Sequence, residues 1–336
     1  MSSLVIQTSF LGDTVLTTPL VARLAESGPV DVLVTPASAG LLAHDPAIRE
    51  VIVYDKRGRD RSIAGFARLA RALRARRYTA AYHAQGSARS GALALAARIP
   101  RRIGFTTSAG RAFYTTRVET PLAMHHAERL FTLGTAGGAR PASRGELRPR
   151  LYPGAAERSA ADALLAGAGH RGEPLVALAP GSVWATKRWP YYPALARAVA
   201  SRARVVVVGA RDDAALAAEI AAEVGDGSVI DATGALSLLG SAELIGRCRA
   251  IVSNDSAPLH LASAMNTPTV AIFGPTVPSF GFGPLAERAA IVEDDLLACR
   301  PCDRHGPRRC PLGHWRCMRG MLPARVADIV MGYLTT

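Results

Sequence analysis

The sequence lacks several features that mark common classes of protein. No run approaches the roughly 20 apolar residues needed to cross a bilayer. The N-terminal stretch MSSLVIQTSF carries neither the basic region nor the cleavage site of a secretory signal. Together these absences predict a cytoplasmic protein, in a compartment where disulfide bonds are disfavoured. The sequence also lacks a G-x-G-x-x-G turn, which counts against a dinucleotide cofactor.

What the chain does contain is enough apolar material for two ordinary domains. It has 336 residues, of which 49% are hydrophobic and 20% are charged, as in a globular protein. Short β-branched runs alternate with Ala- and Leu-rich stretches, which indicates βαβ units and parallel sheets covered by helices. Strands are predicted at 4–7, 30–35, 51–55, 80–85 and 102–105, and then at 175–180, 204–209, 228–233, 250–255, 269–274 and 289–294.

The segment 137–157 separates these two sets of strands. It is rich in Gly, Pro and Arg and has no periodicity, so it predicts a link between two doubly wound, Rossmann-like α/β domains. The predicted boundaries are 1–155 for the first domain, 156–322 for the second and 323–336 for a closing helix. Ligands of such sheets bind beyond the carboxyl ends of the strands, so the residues that directly follow each strand are the main candidates.

Positive charge is concentrated in the first half of the chain. The net charge is +13, and residues 1–170 account for +11 of it. This asymmetry indicates an anionic partner, although solvated helix faces would produce it as well. In the segment 61–78 an apolar stripe at helical spacing leaves the arginines mainly toward solvent; that stripe consists of Ile63, Phe66, Leu69 and Leu73.

Asp13 follows the first predicted strand, in the stretch TSFLGDTVLTTPL. Gly12 permits a tight turn, and a helix is predicted to begin near Thr14 or Val15. A carboxylate near a helix N-terminus can be a plain cap, or it can project into a site as a general base. The residues alone leave both interpretations open.

The loop after the first strand of the second domain, APGSVWATKRWP, combines hydroxyls with a cation. Ser182, Thr186 and Lys187 together with backbone N–H groups suit a diphosphate. The spacing is not that of a Walker A loop, and the alternative is a surface turn with a chance lysine. The position directly after a strand favours the binding loop.

A second phosphate-binding position is predicted in SNDSAPLHLASA. A buried strand delivers Asp255 to its end, and Ser256 and Ala257 open a helix whose N–H groups and dipole favour an anion. Asp255 is suited to accept hydrogen bonds from sugar hydroxyls. His260 is either a ligand or a structural residue of that helix. The next strand ends in a tight turn at Gly274.

Four of the five cysteines lie in the segment 298–318. Their number suffices for a tetrahedral structural zinc, with His305 and His314 as substitute ligands. Only one C-x-x-C pair is present and no amphipathic helix for reading nucleic acid follows, so a nucleic-acid-binding zinc module is not favoured. The alternative is a basic loop packed by Trp315 and the thiols themselves; the four cysteines are Cys299, Cys302, Cys310 and Cys317.

Taken together, the segments resemble those of glycosyltransferase family 9, the ADP-heptose:lipopolysaccharide heptosyltransferases. The matching segments are GDTVLTTPL, QGSARS (85–90), RRIGF (101–105), HHAER (125–129), PGSVWATKRWP, SNDSAPLHLASA and FGPT. They occur in order through most of the chain, and the Cys-rich segment is most similar to that of heptosyltransferase II members.

The resemblance implies a GT-B fold, with the acceptor on the first domain and the sugar nucleotide on the second. It implies an inverting transfer that needs no metal or other cofactor, with Asp13 as the catalytic base and Lys187 offsetting charge on the departing ADP. The remaining donor-side residues are Ser182, Thr186, Asp212 for the ribose, Asp255 for the heptose, Ser256, Ala257, His260 and Gly274. The acceptor-side residues are Gly12, Thr14, Gln85, Arg89, Arg102 and His125.

The resemblance also names the partners. The donor is ADP-heptose, and the acceptor is the anionic inner core of lipopolysaccharide, heptosyl-Kdo-lipid A, which gives the charged first half a purpose. A membrane-embedded acceptor implies peripheral attachment to the cytoplasmic face of the inner membrane. No nucleic acid is expected as a partner, and the closing helix is expected to pack back on the first domain. The alternatives are another acceptor or sugar nucleotide, or a non-catalytic protein that binds a sugar nucleotide.

Overall fold

The structure is a computed structural model that describes residues 2–119, 123–136, 142–225 and 227–335. The chain divides into two compact units, Met1–Tyr152 and Pro153–Thr336. This division lies inside the predicted linker 137–157, of which residues 137–141 are outside the described residues.

The first unit is built on a parallel sheet. Within its described residues the sheet has six strands in the order β3-β2-β1-β4-β5-β6. The strands are β1 (Ser3–Gln7), β2 (Val30–Val34), β3 (Glu50–Val53), β4 (Ala80–His83), β5 (Arg101–Phe105) and β6 (Thr116–Val118). The winding of the sheet therefore reverses between β1 and β4, which pair directly, with Ile6 opposite His83.

Helices cover this sheet, and serine side chains begin several of them. They are α1 (Leu11–Leu16), α2 (Thr18–Ala25), α3 (Pro36–Ala39), α4 (Ile63–Ala75), α5 (Ala88–Ala96), α6 (His126–Gly134) and α7 (Arg144–Leu147), with 3₁₀ turns at Gly40–Leu42 and Arg111–Phe113. Ser62 caps α4 by accepting from the N–H of Gly65, and Ser87 caps α5 by accepting from the N–H of Ser90. Each such cap is worth about 1 kcal/mol, because it satisfies an N–H that the helix itself leaves open.

The second unit repeats the same architecture. Among its described residues the strands are β7 (Leu175–Ala179), β8 (Arg204–Val207), β9 (Val229–Asp231), β10 (Ala250–Asn254), β11 (Thr269–Phe273) and β12 (Ala289–Glu293). Their order is β12-β11-β10-β7-β8-β9, so the winding reverses between β7 and β10. All six pair in parallel. The α/β fold class predicted from the alternating pattern is confirmed.

The helices of the second unit include the closing segment of the chain. They are α8 (Ala155–Gly167), α9 (Tyr192–Val199), α10 (Ala214–Val224), α11 (Leu238–Gly246), α12 (Ala257–Met265), α13 (Arg316–Arg319) and α14 (Pro323–Leu334), with 3₁₀ turns at Ala185–Lys187, Arg211–Asp213 and Pro278–Phe280. The closing helix packs within the second unit. Val326, Ala327 and Val330 of α14 are buried in the core of the second unit, where α14 packs against α9.

The pattern of burial explains why the strands were readable from the sequence. β1, β2, β7, β10 and β11 are buried at every residue, as expected for parallel strands covered on both faces. Each buried Val, Leu or Ile contributes about 1.5–3 kcal/mol relative to its exposed state. All eleven predicted strands are present, but β6 was missed, because its sequence Thr-Arg-Val contains a single apolar side chain. Ile63, predicted on the buried face of α4, is instead 89% exposed at the first position of the helix.

Among the described residues, no helix is both long and apolar enough to span a membrane.

His83 is a polar residue in the middle of the first core. Its side chain is fully buried at the end of β4 and stacks on Tyr114, with ring centroids 4.5 Å apart. Neither ring nitrogen has a hydrogen-bond partner among the described residues. Burial, reinforced by the charge of Arg102, lowers the pKa of His83 to about 3. The imidazole is therefore neutral in the folded protein at ordinary pH.

This buried histidine predicts a specific sensitivity to acid. The unfolded chain binds a proton at this residue near pH 6.5 while the folded chain does not, so stability is complete above pH 6.5 and falls as the pH drops toward 3. His83 alone should cost about 2 kcal/mol of unfolding free energy between pH 6.5 and pH 5. His83→Phe, which keeps the aromatic stack, should remove that part of the decline in urea unfolding measured at the two pH values. The exposed His44→Phe is the control, and an unchanged decline in His83→Phe would contradict the prediction.

Candidate functional site

The polar loops of both units gather at the reversal points of their sheets. Parallel strands end at a common edge, and the reversal leaves a crevice between two outward-turning connections. In the first unit the two connections are the loop after β1, which leads to Asp13, and the loop after β4, which contains Gln85. In the second unit they are the loop after β7, which leads to Lys187, and the loop after β10, which contains Asp255.

Asp13 lies in the first turn of α1, which begins earlier than predicted, at Leu11. One carboxylate oxygen accepts a hydrogen bond from Ser9 Oγ at 2.6 Å. The other lies 3.5 Å from Nε2 of His126, and both side chains are 18% exposed. A carboxylate that contacts Ser9 and His126, but is still open to solvent, can accept a proton from a bound hydroxyl.

The backbone beneath Asp13 is fixed by buried polar groups. Gln7 is buried at the end of β1 and donates to Thr17 Oγ1 at 3.0 Å, while Thr17 donates to the carbonyl of Asp13 at 2.7 Å. Gly12 is half-buried in the same helical turn. Thr14, predicted to contact the acceptor, is buried, and its hydroxyl donates to the carbonyl of Phe10. Its role in this structure is to hold the helix.

The two histidines at the start of α6 have different roles. His125, the residue predicted from the sequence, is the N-cap of α6, and its Nδ1 accepts from the N–H of Ala127 at 3.2 Å. His126, which was missed, is the one that reaches Asp13. The two side chains point to different sides of the helix start. Which of them faces Asp13 cannot be inferred from sequence spacing.

Gln85 and Lys56 complete the polar surroundings of the first loop. Gln85 Oε1 accepts from Thr8 Oγ1 at 3.1 Å, which ties the loop after β4 to the loop after β1. Lys56, also missed from the sequence, donates to the carbonyl of Thr8 at 2.6 Å. Burial, and then the charges of Arg57 and Arg89, lower the pKa of Lys56. The loops of this unit therefore carry an excess of positive charge that favours an anionic ligand.

The two arginines predicted on the acceptor side are engaged with the protein itself. Arg89 donates to the hydroxyl of Tyr54 and to the carbonyls of Asp60 and Arg61, and its guanidinium lies over the Tyr54 ring. Arg102 donates to the carbonyls of Phe113 and Ile99. Arg89 thus positions the loop that contains Lys56, and Arg102 holds the start of β5 to the segment before β6.

Lys187 and Asp255 form the central ion pair of the second unit. Lys187 Nζ lies 2.5 Å from Asp255 Oδ2, and the two side chains are only 10% and 12% exposed. Thr276, which follows β11 and was missed from the sequence, donates its hydroxyl to the same carboxylate oxygen at 2.7 Å. One carboxylate therefore connects the loops after β7, β10 and β11.

The loop after β7 is held by hydrogen bonds between side chains and backbone groups. Ser182 Oγ accepts from the N–H of Trp184 at 3.3 Å, and the Ser182 carbonyl accepts two hydrogen bonds from Arg188. Thr186 is buried and donates its hydroxyl to the carbonyl of Pro307 in the Cys-rich segment. Of the predicted diphosphate ligands in this loop, Lys187 is thus brought to Asp255, while the Thr186 hydroxyl is used to bind the Cys-rich segment.

The N-terminus of α12 lies directly beside this ion pair. The helix starts at Ala257 as predicted, with Ser256 as N-cap. The Ser256 hydroxyl donates weakly to the carbonyl of Asn254 at 3.4 Å instead of capping the helix. The first-turn N–H groups and the dipole of α12 are therefore oriented toward an anion-binding position. His260 is buried further along the helix, with its ring against Phe282, which supports its structural interpretation.

Asp212, predicted near the ribose, and its neighbour Asp213 have different surroundings. Asp212 is exposed in the 3₁₀ turn after β8. Its neighbour Asp213 accepts from the N–H of Ala210 at 2.9 Å and lies against the backbone of Gly181 in the loop after β7. Asp213 is the carboxylate that the structure brings next to the predicted binding loop.

The Cys-rich segment packs beside the same loops. Cys317 is buried in the core of the second unit, and burial, followed by the neighbouring thiol of Cys302, raises the pKa of Cys317 to about 11. Although burial opposes it, backbone N–H groups of residues 312–315 lower the pKa of Cys310. Within the part of the chain that the structure describes, no three His, Cys, Asp or Glu side chains are arranged to hold a metal ion.

Comparison with known proteins assigns a family to this arrangement. The sequence profile of Glycosyltransferase family 9 (heptosyltransferase) matches residues 66–314. Lipopolysaccharide heptosyltransferase 2 of Salmonella typhimurium is 28% identical over 311 residues, which cover 87% of this chain and 88% of the relative. Lipopolysaccharide heptosyltransferase 1 of Pseudomonas aeruginosa is also 28% identical, over 324 residues that cover 90% and 86%.

A solved structure shares the whole fold. The structure of the Escherichia coli ADP-heptose lipopolysaccharide heptosyltransferase II superposes with a TM-score of 0.81 at 24% identity. The superposition covers 100% of this chain and 99% of that one. This likeness confirms the GT-B fold class expected from the sequence resemblance.

The packing of the Cys-rich segment on the β11 turn predicts the effect of a small substitution. A Cβ at Gly274 would lie 2.1 Å from Sδ of the buried Met318, so Gly274→Ala forces one of them to move. We expect a loss of about 2 kcal/mol of unfolding free energy, typical of overpacking. In a double-mutant cycle with Met318→Ala, measured by urea unfolding, the double variant should be at least about 1 kcal/mol more stable than the sum of the single effects predicts. Strict additivity would show that the two residues do not press on each other.

Proposed function

The chain belongs to glycosyltransferase family 9 and is a glycosyltransferase, and on that premise we propose that it transfers heptose from ADP-heptose to the inner core of lipopolysaccharide. The relatives that cover most of the chain are lipopolysaccharide heptosyltransferases, and the superposed E. coli enzyme is named for ADP-heptose. Both relatives are equally identical to this chain. The choice of heptosyl-Kdo-lipid A as acceptor therefore rests on the resemblance of the Cys-rich segment.

The observation that carries this proposal is the cluster of Lys187, Asp255 and Thr276 at the N-terminus of α12. A diphosphate brings negative charge, which an ammonium and a helix N-terminus stabilise in a site with little solvent. Asp255 supplies acceptor oxygens for sugar hydroxyls next to that charge. These are the two chemical requirements of a nucleotide-diphosphate sugar.

The proposed reaction is a single inverting displacement. The acceptor hydroxyl attacks the anomeric carbon of the heptose, the bond from that carbon to the diphosphate oxygen breaks, and ADP leaves with the electron pair. Asp13 accepts the proton of the attacking hydroxyl. Ser9, and His126 on the other carboxylate oxygen, orient Asp13 for this step. The ammonium of Lys187 and the dipole of α12 offset the charge on the departing ADP, so the proposal needs no metal.

The proposed acceptor matches the charge of the first unit. Kdo carboxylates and lipid A phosphates are anionic, and residues 1–170 carry a net charge of +11. Lys56 lies one hydrogen bond from the strand end that leads to Asp13, which makes it the best-placed cation for such an acceptor. A lipid-embedded acceptor also favours work at the cytoplasmic face of the inner membrane, aided by the same charge.

Asp13→Asn tests the catalytic base. The amide keeps the shape and the contact with Ser9 but cannot accept the proton, so acceptor-dependent ADP release from ADP-heptose should fall about 10³-fold. The assay uses heptosyl-Kdo-lipid A in EDTA, and binding of ADP-heptose by calorimetry should remain within twofold of the wild type. Glu26→Gln, an exposed carboxylate in the same unit, is the control.

The outcomes of that assay separate the alternatives. Release by the wild type that disappears in EDTA would contradict the metal-independent mechanism. Donor binding without release would indicate another acceptor, to be sought first with Kdo-lipid A that lacks heptose. Donor binding with no release on either acceptor would favour a non-catalytic binding protein. Neither binding nor release would overturn the proposed function.

Lys187→Met tests the diphosphate site. Loss of the ammonium removes the charge for the diphosphate and leaves the Asp255 carboxylate unpaired, so the Kd for ADP should rise about 100-fold. The Tm identifies any part of the effect that comes from folding. Arg197→Met, which removes an exposed cation of the same unit, should leave ADP binding unchanged. Equal ADP affinity in Lys187→Met and the wild type would exclude a diphosphate at this position.

A further inference from the structure

The Cys-rich segment is connected to the second-unit site through one buried arginine. Arg300 follows Cys299, and only 3% of its side chain is exposed. Its guanidinium donates to the carbonyls of Phe273, Gly274 and Thr276, which form the turn after β11. It also donates to the carbonyl of Asp294 and lies 2.8 Å from the carboxylate of Glu293 at the end of β12.

These contacts lead directly to the central carboxylate of the site. Arg300 holds the backbone carbonyl of Thr276, while the Thr276 hydroxyl donates to Asp255 at 2.7 Å. Asp255 in turn pairs with Lys187. A displacement of the β11 turn would therefore move the hydroxyl that orients the carboxylate, and with it the position of the ammonium.

The same segment also contacts the loop after β7. The carbonyl of Pro307 accepts from the Thr186 hydroxyl. Gly306 has a φ of +87° and lies so near the loop that a Cβ would be 3.3 Å from both Lys187 Cε and Thr186 Oγ1. The N–H of Cys302 donates to the carbonyl of Pro275 at 2.9 Å. Residues 300–307 thus fix two of the three loops that surround Asp255.

From this geometry we infer that Arg300 is a positioning residue for the donor diphosphate, which it never touches, and that the Cys-rich segment serves the second-unit site through it. This inference rests on the proposed function, because it identifies the diphosphate-sugar site as the one that Arg300 organises. It assigns to the segment 300–307 a role in donor affinity that is independent of any ligand bound to the thiols.

The chemistry of the contacts requires arginine. A planar guanidinium with five donors can bind several carbonyls and a carboxylate at once, in fixed directions. A lysine ammonium has three donors at one point and cannot span the carbonyls of residues 273, 274, 276 and 294. Arg300→Lys therefore keeps the charge beside Glu293, which protects folding. It loses the hydrogen bonds that hold the turn after β11.

The test compares donor and acceptor constants in the full-length protein. Arg300→Lys should raise the Kd for ADP and the KM for ADP-heptose about tenfold, while the KM for heptosyl-Kdo-lipid A stays within twofold. Thr276→Val interrupts the same connection at the hydroxyl and should show the same donor-selective change. Arg304→Lys, an exposed arginine of the same segment, is the matched control and should behave as the wild type.

The results distinguish this inference from the proposed function. A lower Tm of Arg300→Lys with wild-type ADP affinity would make Arg300 a purely structural residue and overturn the inference while the function stands. If Arg300→Lys does not fold, Thr276→Val decides: an unchanged Kd for ADP overturns the inference. If the wild type binds neither ADP nor ADP-heptose, the proposed function fails and the inference fails with it.

Discussion

The site geometry depends on one constraint, the reversal of winding in each parallel sheet. Between β1 and β4, and between β7 and β10, adjacent strands send their connections to opposite faces. The N–H and C=O groups of buried strands are hydrogen-bonded to neighbouring strands. Polar groups that can bind a ligand are therefore found where the strands end. Asp13 and Asp255 both occupy such ends. The topology of the sheets therefore determines where these two carboxylates lie.

The Lys187–Asp255 pair keeps two oppositely charged side chains stable where little of either is exposed. A partly buried ammonium with no partner would cost several kcal/mol, roughly the penalty for an uncompensated buried charge. Asp255 removes that cost in the structure and is itself held by Thr276. In the proposed function a diphosphate need not displace the carboxylate, since the ammonium has three donors. The dipole of α12 adds further attraction at the same place.

The sequence predicted the elements well because their signals are local, and it failed where a choice depended on direction. Eleven strands could be located because they are short runs rich in apolar, β-branched residues, whereas the Thr-Arg-Val of β6 gives no such signal. The structure brings His126 instead of His125 to Asp13, and Asp213 instead of Asp212 to the loop after β7, since a helix start turns neighbouring side chains to different sides. Arg89 was expected to meet a ligand but binds loop carbonyls, a distinction that spacing cannot express.

The Cys-rich segment illustrates the same limit in its strongest form. Its composition indicates thiols that could bind a metal. Nothing in the composition indicates a role for Arg300, which lies between Cys299 and Cys302. In the fold Arg300 hydrogen-bonds to the turn after β11, and the Pro307 carbonyl accepts from Thr186. Met318 packs against Gly274. The contacts of Arg300 and Pro307 involve backbone carbonyls, whose positions cannot be inferred from a sequence motif. The segment therefore stabilises the loops around Asp255. Its Cys317 is part of the hydrophobic core of the second unit.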